Sequence, residues 1–287
     1  MVVVGAASRD LASDDPRGWR LGGAATYCSL AAARLGLRVG CLLGVDDEAS
    51  VAVELELLRA AGIELRLVRL DHGPVFESLN VDGHRRQRWL SKSHEIPVLA
   101  LPSAWLGAPG WLLVPVAGEV GEGWARVPAS GARIAVGAQG MMREFADDGW
   151  VRRVEPGPSA LLGAAGLVCA SLDDLKPGME LGRFSQLAPS AAVVLTGGDG
   201  GGVVLRGGEL MRYRAIATNR MLDSTGAGDV LLAALMTAWL VTGELATSRA
   251  VRFAAAAGSC AVEGVGLAGV PTRAQVAERL RSAAPSA

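Results

Sequence analysis

Asp223-Ser224-Thr225-Gly226-Ala227-Gly228-Asp229 runs without a break into Val230-Leu231-Leu232-Ala233-Ala234-Leu235, and the reading of this junction decides the fold. Small residues at 226–228 let the backbone approach a ligand closely, and the apolar run after them reads as a buried helix. The free N–H groups at a helix N-terminus, with the positive end of the helix dipole, form a site for an anion. Asp229 falls in the first turn, beside the place that anion would take. A carboxylate there can accept a proton from an attacking hydroxyl while the amides stabilise charge on the transferred group. The plainer alternative is a glycine turn and a first-turn acid that only stabilises its helix. The full seven-residue string favours function.

Outward from this junction the chain has an α/β texture. Val2-Val3-Val4 reads as a first strand, and Ala24 to Leu35 as a helix stopped by Gly36. Val39 to Leu43 is a continuous apolar strand, followed by the acidic loop Asp46-Asp47-Glu48 and a helix through Ala60. Trp111–Val116, Ile134–Val136, Gly166–Cys169 and Ala192–Thr196 are further short apolar strands. Such runs, spaced by helices, predict a mainly parallel sheet covered on both faces. From Val75 to Leu90 polar and apolar residues instead alternate around Asp82-Gly83, which predicts a hairpin projecting from the sheet as a flap or an interface. No repeat or linker divides the chain, so residues 1–287 read as one domain, with a frayed Ala/Pro/Ser tail after Ser282.

Composition removes several classes. Half of the 287 residues are hydrophobic, and 28 basic side chains nearly cancel 29 acidic ones, so no global field holds a nucleic acid. The only lysines, Lys92 and Lys176, do not follow a glycine, which excludes a GxxxxGK[ST] phosphate loop. Cys28, Cys41, Cys169 and Cys260 form no CxxC pair and, with no secretory leader visible, read as reduced thiols of a cytoplasmic protein. The longest apolar stretch, Val230 to Val241, is well under the roughly 18 to 20 residues that span a bilayer and reads as a buried helix. Gly264 to Gly269 matches GxGxxG but follows a helical stretch and meets Pro271, so it reads as a loop near the nucleotide rather than a dinucleotide site. His72, His84 and His94 share no metal-ligand spacing. Arg85-Arg86-Gln87-Arg88-Trp89 reads as a solvated strand face, or as contacts that close a lid.

Asp223 to Asp229 resembles the signature of the ribokinase-like (PfkB) carbohydrate kinases, in which it forms the anion hole and carries the base. Gly22-Gly23 with Ala31-Ala32-Ala33-Arg34-Leu35-Gly36, and Gly44-Val45-Asp46, resemble the family's N-terminal pattern. Gly5 to Asp10 is similar to the first-strand end whose aspartate holds substrate hydroxyls. Thr196 to Gly201 fits the TxGxxG nucleotide loop, and Ser171-Leu172-Asp173-Asp174 lies where the family has Asn-x-x-Glu. The likeness runs from about Val2 to Leu280.

The resemblance implies a ribokinase-like three-layer α/β/α fold, with a mainly parallel central sheet and a small β lid around 75–90. It implies ATP-dependent transfer of the γ-phosphoryl group to a hydroxyl of a small sugar or polyol. Asp229 is then the base, and the amides of Gly226, Ala227 and Gly228 the anion hole. Ser171, Asp174, Thr196, Gly198, Gly201 and Thr225 would meet ATP, with Asp174 an outer-sphere partner of Mg²⁺. Asp223 matches a position near a monovalent cation such as K⁺. Asp10, Gly22, Gly23 and Tyr27 would place the acceptor. Tyr27 stands where the family has an asparagine, and Ala255 where ribokinases have another, which argues against ribokinase itself. Ala138-Gln139-Gly140-Met141-Met142-Arg143 and Pro115-Val116-Ala117-Gly118-Glu119 are similar to a subgroup that includes inositol and nucleoside kinases. Glu119 and Arg143 are therefore acceptor-pocket candidates, against a reading of both as ordinary loop residues with Glu119 at the surface. Inositol or nucleoside acceptors are the alternative within the family, and a non-catalytic nucleotide or sugar sensor is the rival outside enzymes. Lid strands of such kinases often pair between subunits, so a homodimer is expected.

Overall fold

The computed structural model describes residues 1–81 and 84–283, with the backbone alone at 80, 81, 84 and 85. The expected turn at Asp82-Gly83 and the end of the tail lie outside the described residues. In chain order the first strands are β1 (Val2–Ala6), β2 (Ser8–Leu11), β3 (Trp19–Gly22), β4 (Gly40–Val45), β5 (Glu64–Arg69), β6 (Val75–Val81) and β7 (His84–Ser91). They are followed by β8 (Gly110–Leu113), β9 (Arg133–Gly137), β10 (Arg143–Phe145), β11 (Val151–Arg153), β12 (Leu167–Ser171), β13 (Ala192–Thr196), β14 (Gly202–Arg206) and β15 (Glu209–Tyr213). The α-helices are α1 (Ala24–Arg34), α2 (Leu55–Ala60), α3 (Ala160–Ala164), α4 (Gly182–Leu187), α5 (Ala227–Thr242), α6 (Ser248–Ala261) and α7 (Arg273–Ser282).

Nine strands form one sheet in the order β15-β14-β13-β12-β9-β8-β1-β4-β5. It is parallel from β13 to β5 and ends in an antiparallel edge of β14 and β15. Side chains alternate across it. Val3, Cys41, Leu43, Leu112, Val114 and Val194 pack in one core with residues of α1, α5 and α6. Val2, Val4, Leu42, Leu113, Val168 and Val193 pack in a second core with Leu161 and Leu162 of α3 and Phe184 of α4. Burial on both faces is why these strands read as unbroken apolar runs. The expected three-layer α/β/α arrangement is present. The second layer is built largely from short helices and single 3₁₀ turns carrying Trp105 and Trp124.

Strand β8 stops at Leu113 rather than Val116. Val114 still donates to the Val4 carbonyl, but Pro115 has no N–H with which to continue the ladder. Helix α5 is buried from Val230 to Thr237, then emerges, leaving Val241 67% exposed. A Cβ on Gly110, at the start of β8, would lie 2.6 Å from Met236, and one on Gly166, just before β12, 2.5 Å from Trp239. The end of α5 therefore lies at the amino ends of the strands, and its beginning, Gly226, at their carboxyl ends. Strand order reverses there too: the chain goes from β1 to β4 and β5 on one side, then to β8, β9, β12 and β13 on the other. In open α/β sheets ligands bind at such a switch point.

A second sheet, β3-β2-β6-β7, forms the lid. The expected β6–β7 hairpin is present, but the lid is larger than residues 75–90. Ser8 to Gly22 folds as an additional hairpin, and β2 joins β6 in parallel through Arg9↔Val75 and Asp10↔Phe76. Asp14-Asp15-Pro16-Arg17-Gly18 supplies the turn chemistry for that hairpin, with Gly18 at φ 77. Arg9 holds the lid to the sheet through Asp46, 2.9 Å away, and Glu48. Among the described residues no helix is long and apolar enough to cross a membrane.

Candidate active site

Helix α5 starts at a left-handed glycine. Gly226 has φ 77, and a Cβ built on it would overlap the ring of Tyr27, so both backbone and space demand glycine. The loop before it is fixed by Asp223, whose two carboxylate oxygens accept N–H bonds from Thr225 (2.9 Å) and Gly266 (3.0 Å). The amides of Leu222 and Asp223 both donate to the Val262 carbonyl at the end of α6. Beyond Gly226 the first turn of α5 faces open space: Gly228 is exposed, and nothing lies within 4 Å of a Cβ placed on it. The amides of a first helical turn have no intrahelical acceptor, which leaves donors at this tip that suit an anion. Ala227 N–H reaches back to Ser224 O at a long 3.3 Å.

Asp229 is the third residue of α5, partly open to the cleft. Its carboxyl is pushed up to about 7, first by burial, against the lowering effect of Arg143 and with the raising effect of Asp174 and Asp10. The four groups named here come from α5, β10, the turn after β12 and β2, elements far apart in sequence. The backbone of Asp229 is held from behind by Cys28, whose thiol donates to its carbonyl at 3.3 Å.

Among the candidates for the acceptor, Asp10 takes a hydrogen bond from the Ser8 hydroxyl at 2.9 Å and packs on Gly22 so closely that a Cβ there would overlap its carboxylate. Gly23, with φ 97, is the N-cap of α1 and lies against the Ala6 carbonyl and the Ser8 amide. One turn on, Tyr27 is 3% exposed, with its ring on Gly226. Burial, then the charges of Asp10, Asp223 and Asp229, push its phenol far above the ordinary range, so it stays neutral.

Arg143 and Asp174 complete the cleft. The Arg143 side chain is 8% exposed, lies 4.0 Å from Asp174, and has its guanidinium 5.6 Å over the Phe76 ring of the lid. Gln139 donates to the other oxygen of Asp174 at 3.1 Å. Gln139 and Arg143 are thus brought together with Asp174, in the electrostatic reach of Asp229. Glu119 is no surface acid either: it is 0% exposed. Its carboxylate takes the backbone N–H groups of Ala6, Val116 and Ala117, tying the end of β1 to the loop after β8. Those bonds offset part of the burial that raises its pKa. The Gly140 amide donates to Pro115 O in that loop, so Glu119 supports the turn that carries Gln139.

The nucleotide candidates lie at the carboxyl ends of β12 and β13. Ser171 and Thr196 are register partners, and the Ser171 hydroxyl reaches Thr196 O at 3.4 Å. Gly198 (φ 57) and Gly201 (φ 89) turn the chain into β14, and a Cβ on Gly201 would overlap the Tyr213 carbonyl. Thr225 lies in the loop before α5, its N–H bonded to Asp223. The Gly264–Gly269 segment is a loop between α6 and α7 that ends in a 3₁₀ turn, Gly266–Gly269. Cys28, Cys41 and Cys169 are buried free thiols, and Cys260 is half-buried. Among the described residues no cluster of three or more His, Cys, Asp or Glu can hold a metal ion.

Residues 164–273 match the model of the pfkB family carbohydrate kinases, a stretch that includes Ser171 to Asp174, Thr196 to Gly201 and Asp223 to Asp229. No curated protein matches the chain. Among solved structures it is similar to a pyrophosphate-dependent kinase of the ribokinase family in complex with a pyrophosphate analogue and myo-inositol (TM-score 0.75, 18% identity, covering 96% of this chain and 99% of that one). It is also similar to Arabidopsis thaliana ribokinase in complex with ribose and ATP (TM-score 0.69, 18% identity, 98% of each chain). A third is the nucleoside kinase of Methanocaldococcus jannaschii (TM-score 0.68, 16% identity, 98% of this chain and 97% of that one). The fold is the ribokinase-like fold, and the resemblance seen in Asp223 to Asp229 is borne out.

Proposed function

We propose that this chain is an ATP-dependent kinase that transfers the γ-phosphoryl group to a hydroxyl of a small sugar or polyol. The observation that carries the reading is Asp229 at the tip of α5, with a carboxyl at about 7 that faces Arg143, Asp174 and Asp10. A base poised near working pH can take a hydroxyl proton without being too weak to hold it. In the step, the acceptor oxygen bonds to the γ-phosphorus, its proton passes to the Asp229 carboxylate, and the bond from that phosphorus to the ADP oxygen breaks. The amides of Gly226, Ala227 and Gly228 stabilise charge on the transferred group, and Arg143 adds a fixed cation beside it. Asp10, Gly22, Gly23 and Tyr27 place the acceptor, and Ser171, Thr196, Gly198, Gly201 and Thr225 the nucleotide.

Asp174 is engaged by Gln139 and Arg143, which fits a carboxylate that would reach Mg²⁺ through water. When bound, Mg²⁺ supplies charge neutralisation on the ATP oxygens. Each carboxylate oxygen of Asp223 accepts a single backbone N–H bond and keeps a lone pair, so the residue fits a place beside K⁺ as well. No step uses that cation.

The cyclitol acceptor of the first similar structure and the nucleoside acceptor of the third stay within the reading. Acceptors from sugars, inositols and nucleosides, each with ATP or with pyrophosphate as donor, form the test. Acceptor-dependent consumption of ATP, abolished by Asp229→Asn, is the expected result. Nucleotide binding with no transfer to any acceptor would favour the sensor instead. The reading treats residues 1–287 as one kinase domain acting in the cytoplasm. It also makes the lid a homodimer interface, which sedimentation at micromolar concentration tests.

A further inference from the structure

Strands β10 and β11 form a two-stranded hairpin that neither the central sheet nor the lid contains. Its root is Arg143, paired with Arg153, and its tip is the turn from Ala146 to Trp150. The turn is closed by Ala146 N–H to Trp150 O and Gly149 N–H to Ala146 O, and stiffened by Asp148, which takes the Trp150 N–H and pairs with Arg152.

That tip is seated on the lid. Trp89 of β7 donates its backbone N–H to Gly149 O at 3.0 Å and its indole N–H to Ala146 O at 2.9 Å. Arg88 and Trp150 form a β-bridge, and the Arg86 guanidinium lies 4.1 Å from the centre of the Trp150 ring. Side chains two apart on a strand share a face, so Arg143 and Phe145 point the same way. Phe145 packs between Phe76 (6.2 Å) and Trp89 (6.0 Å), which face each other across the lid, while Arg143 lies over the same Phe76. The basic cluster at 86–88 thus has an intramolecular use.

We propose that this hairpin is a strut that transmits the position of the lid to Arg143, and that Trp150 is its positioning residue. The inference rests on the kinase reading for what Arg143 does, but not for how Arg143 is held. Trp150 reaches no catalytic group. It fixes the tip on β7, the three-pair ladder carries that constraint to the root, and the root aims the guanidinium at Asp174 and the Asp229 carboxylate. A cation held this way costs no reorganisation when charge develops on the phosphoryl group.

A double-mutant cycle on the full chain tests it. Trp150→Ala is expected to lower kcat over acceptor KM about tenfold, as a displaced catalytic group does, while Trp150→Phe, which keeps a ring for Arg86, restores most of it. In an Arg143→Ala background Trp150→Ala should change kcat over KM by less than about twofold, because the residue acts through a group already gone. Effects that multiply, or no effect of Trp150→Ala in the wild-type background, overturn the strut. A second measurement needs no turnover: the side-chain Nε–H of Arg143, followed by NMR in arginine-labelled protein, should exchange with water at least about tenfold faster in Trp150→Ala. Unchanged exchange overturns the strut even if the kinase reading stands. Faster exchange supports it even in a chain that phosphorylates no acceptor tried.

Discussion

Asp229→Asn separates catalysis from stability, and the structure sets both signs. The wild-type carboxyl rises from an ordinary 3.8 to about 7, with burial as the main cause. Below about pH 4 the group is protonated in folded and unfolded chains alike and contributes nothing to pH dependence. As pH rises from 4 to 7 the unfolded chain gives up its proton while the folded chain keeps it, so the wild type loses stability across that window and no more above it. The full difference corresponds to about 4 kcal/mol, at about 1.4 kcal/mol per tenfold. The side chain keeps some water contact, so about 2 kcal/mol is the working figure. An asparagine of the same shape does not titrate. At pH 8 the variant should therefore unfold about 3 to 4 °C higher than the wild type, while at pH 4 the two should coincide. Acceptor-dependent turnover should fall by about 10² to 10⁴ with nucleotide binding nearly intact. Thermal melts at pH 4, 6 and 8, with initial rates at pH 8, make the assay. A variant that keeps its turnover, or one that melts below the wild type at pH 8, would refute the assignment of Asp229 as a buried, poised base.

Gly226→Ala places a Cβ against the Tyr27 ring at a left-handed φ, so we expect at least about 1 to 2 kcal/mol of lost stability by urea unfolding and a collapse of kcat; normal kinetics would separate the anion site from this turn. Glu119→Gln turns an NH₂ toward amides that already donate, and should cost about 2 to 4 kcal/mol by the same unfolding measurement; an unchanged midpoint would contradict the role given to this carboxylate. Asp10→Ala should raise acceptor KM and leave donor KM alone, whereas a rise in donor KM instead would move Asp10 out of the acceptor side.

The parts of the fold legible in the sequence are those where one local pattern has one physical meaning. Ala192–Thr196 is buried on both faces, and its unbroken apolar run matches the strand residue for residue. Gly226 and Asp229 were legible because a close backbone approach and a first-turn acid each require a residue type. Glu119 was not, because Pro-Val-Ala-Gly-Glu has the local pattern of a strand end with a loop acid, and only the meeting of β1 with β8 supplies its three amides. The Ser8–Gly22 hairpin was missed although Asp14 to Gly18 carries turn chemistry, since its strands are short and mostly polar. The β10–β11 hairpin was missed for the same reason, with Asp148-Gly149 as its available signal. Arg143 is a candidate in the sequence only through its resemblance to a subgroup, and its partners Asp174 and Phe76 are not legible there because they come from other elements.

A structure of the protein with a non-hydrolysable ATP analogue tests the central claim most directly. The account predicts the terminal phosphate within hydrogen-bonding distance of the amides at 226–228, with the Asp229 carboxylate turned toward the space beside Asp10. A terminal phosphate bound away from the tip of α5, or a carboxylate turned out of the cleft, would contradict it.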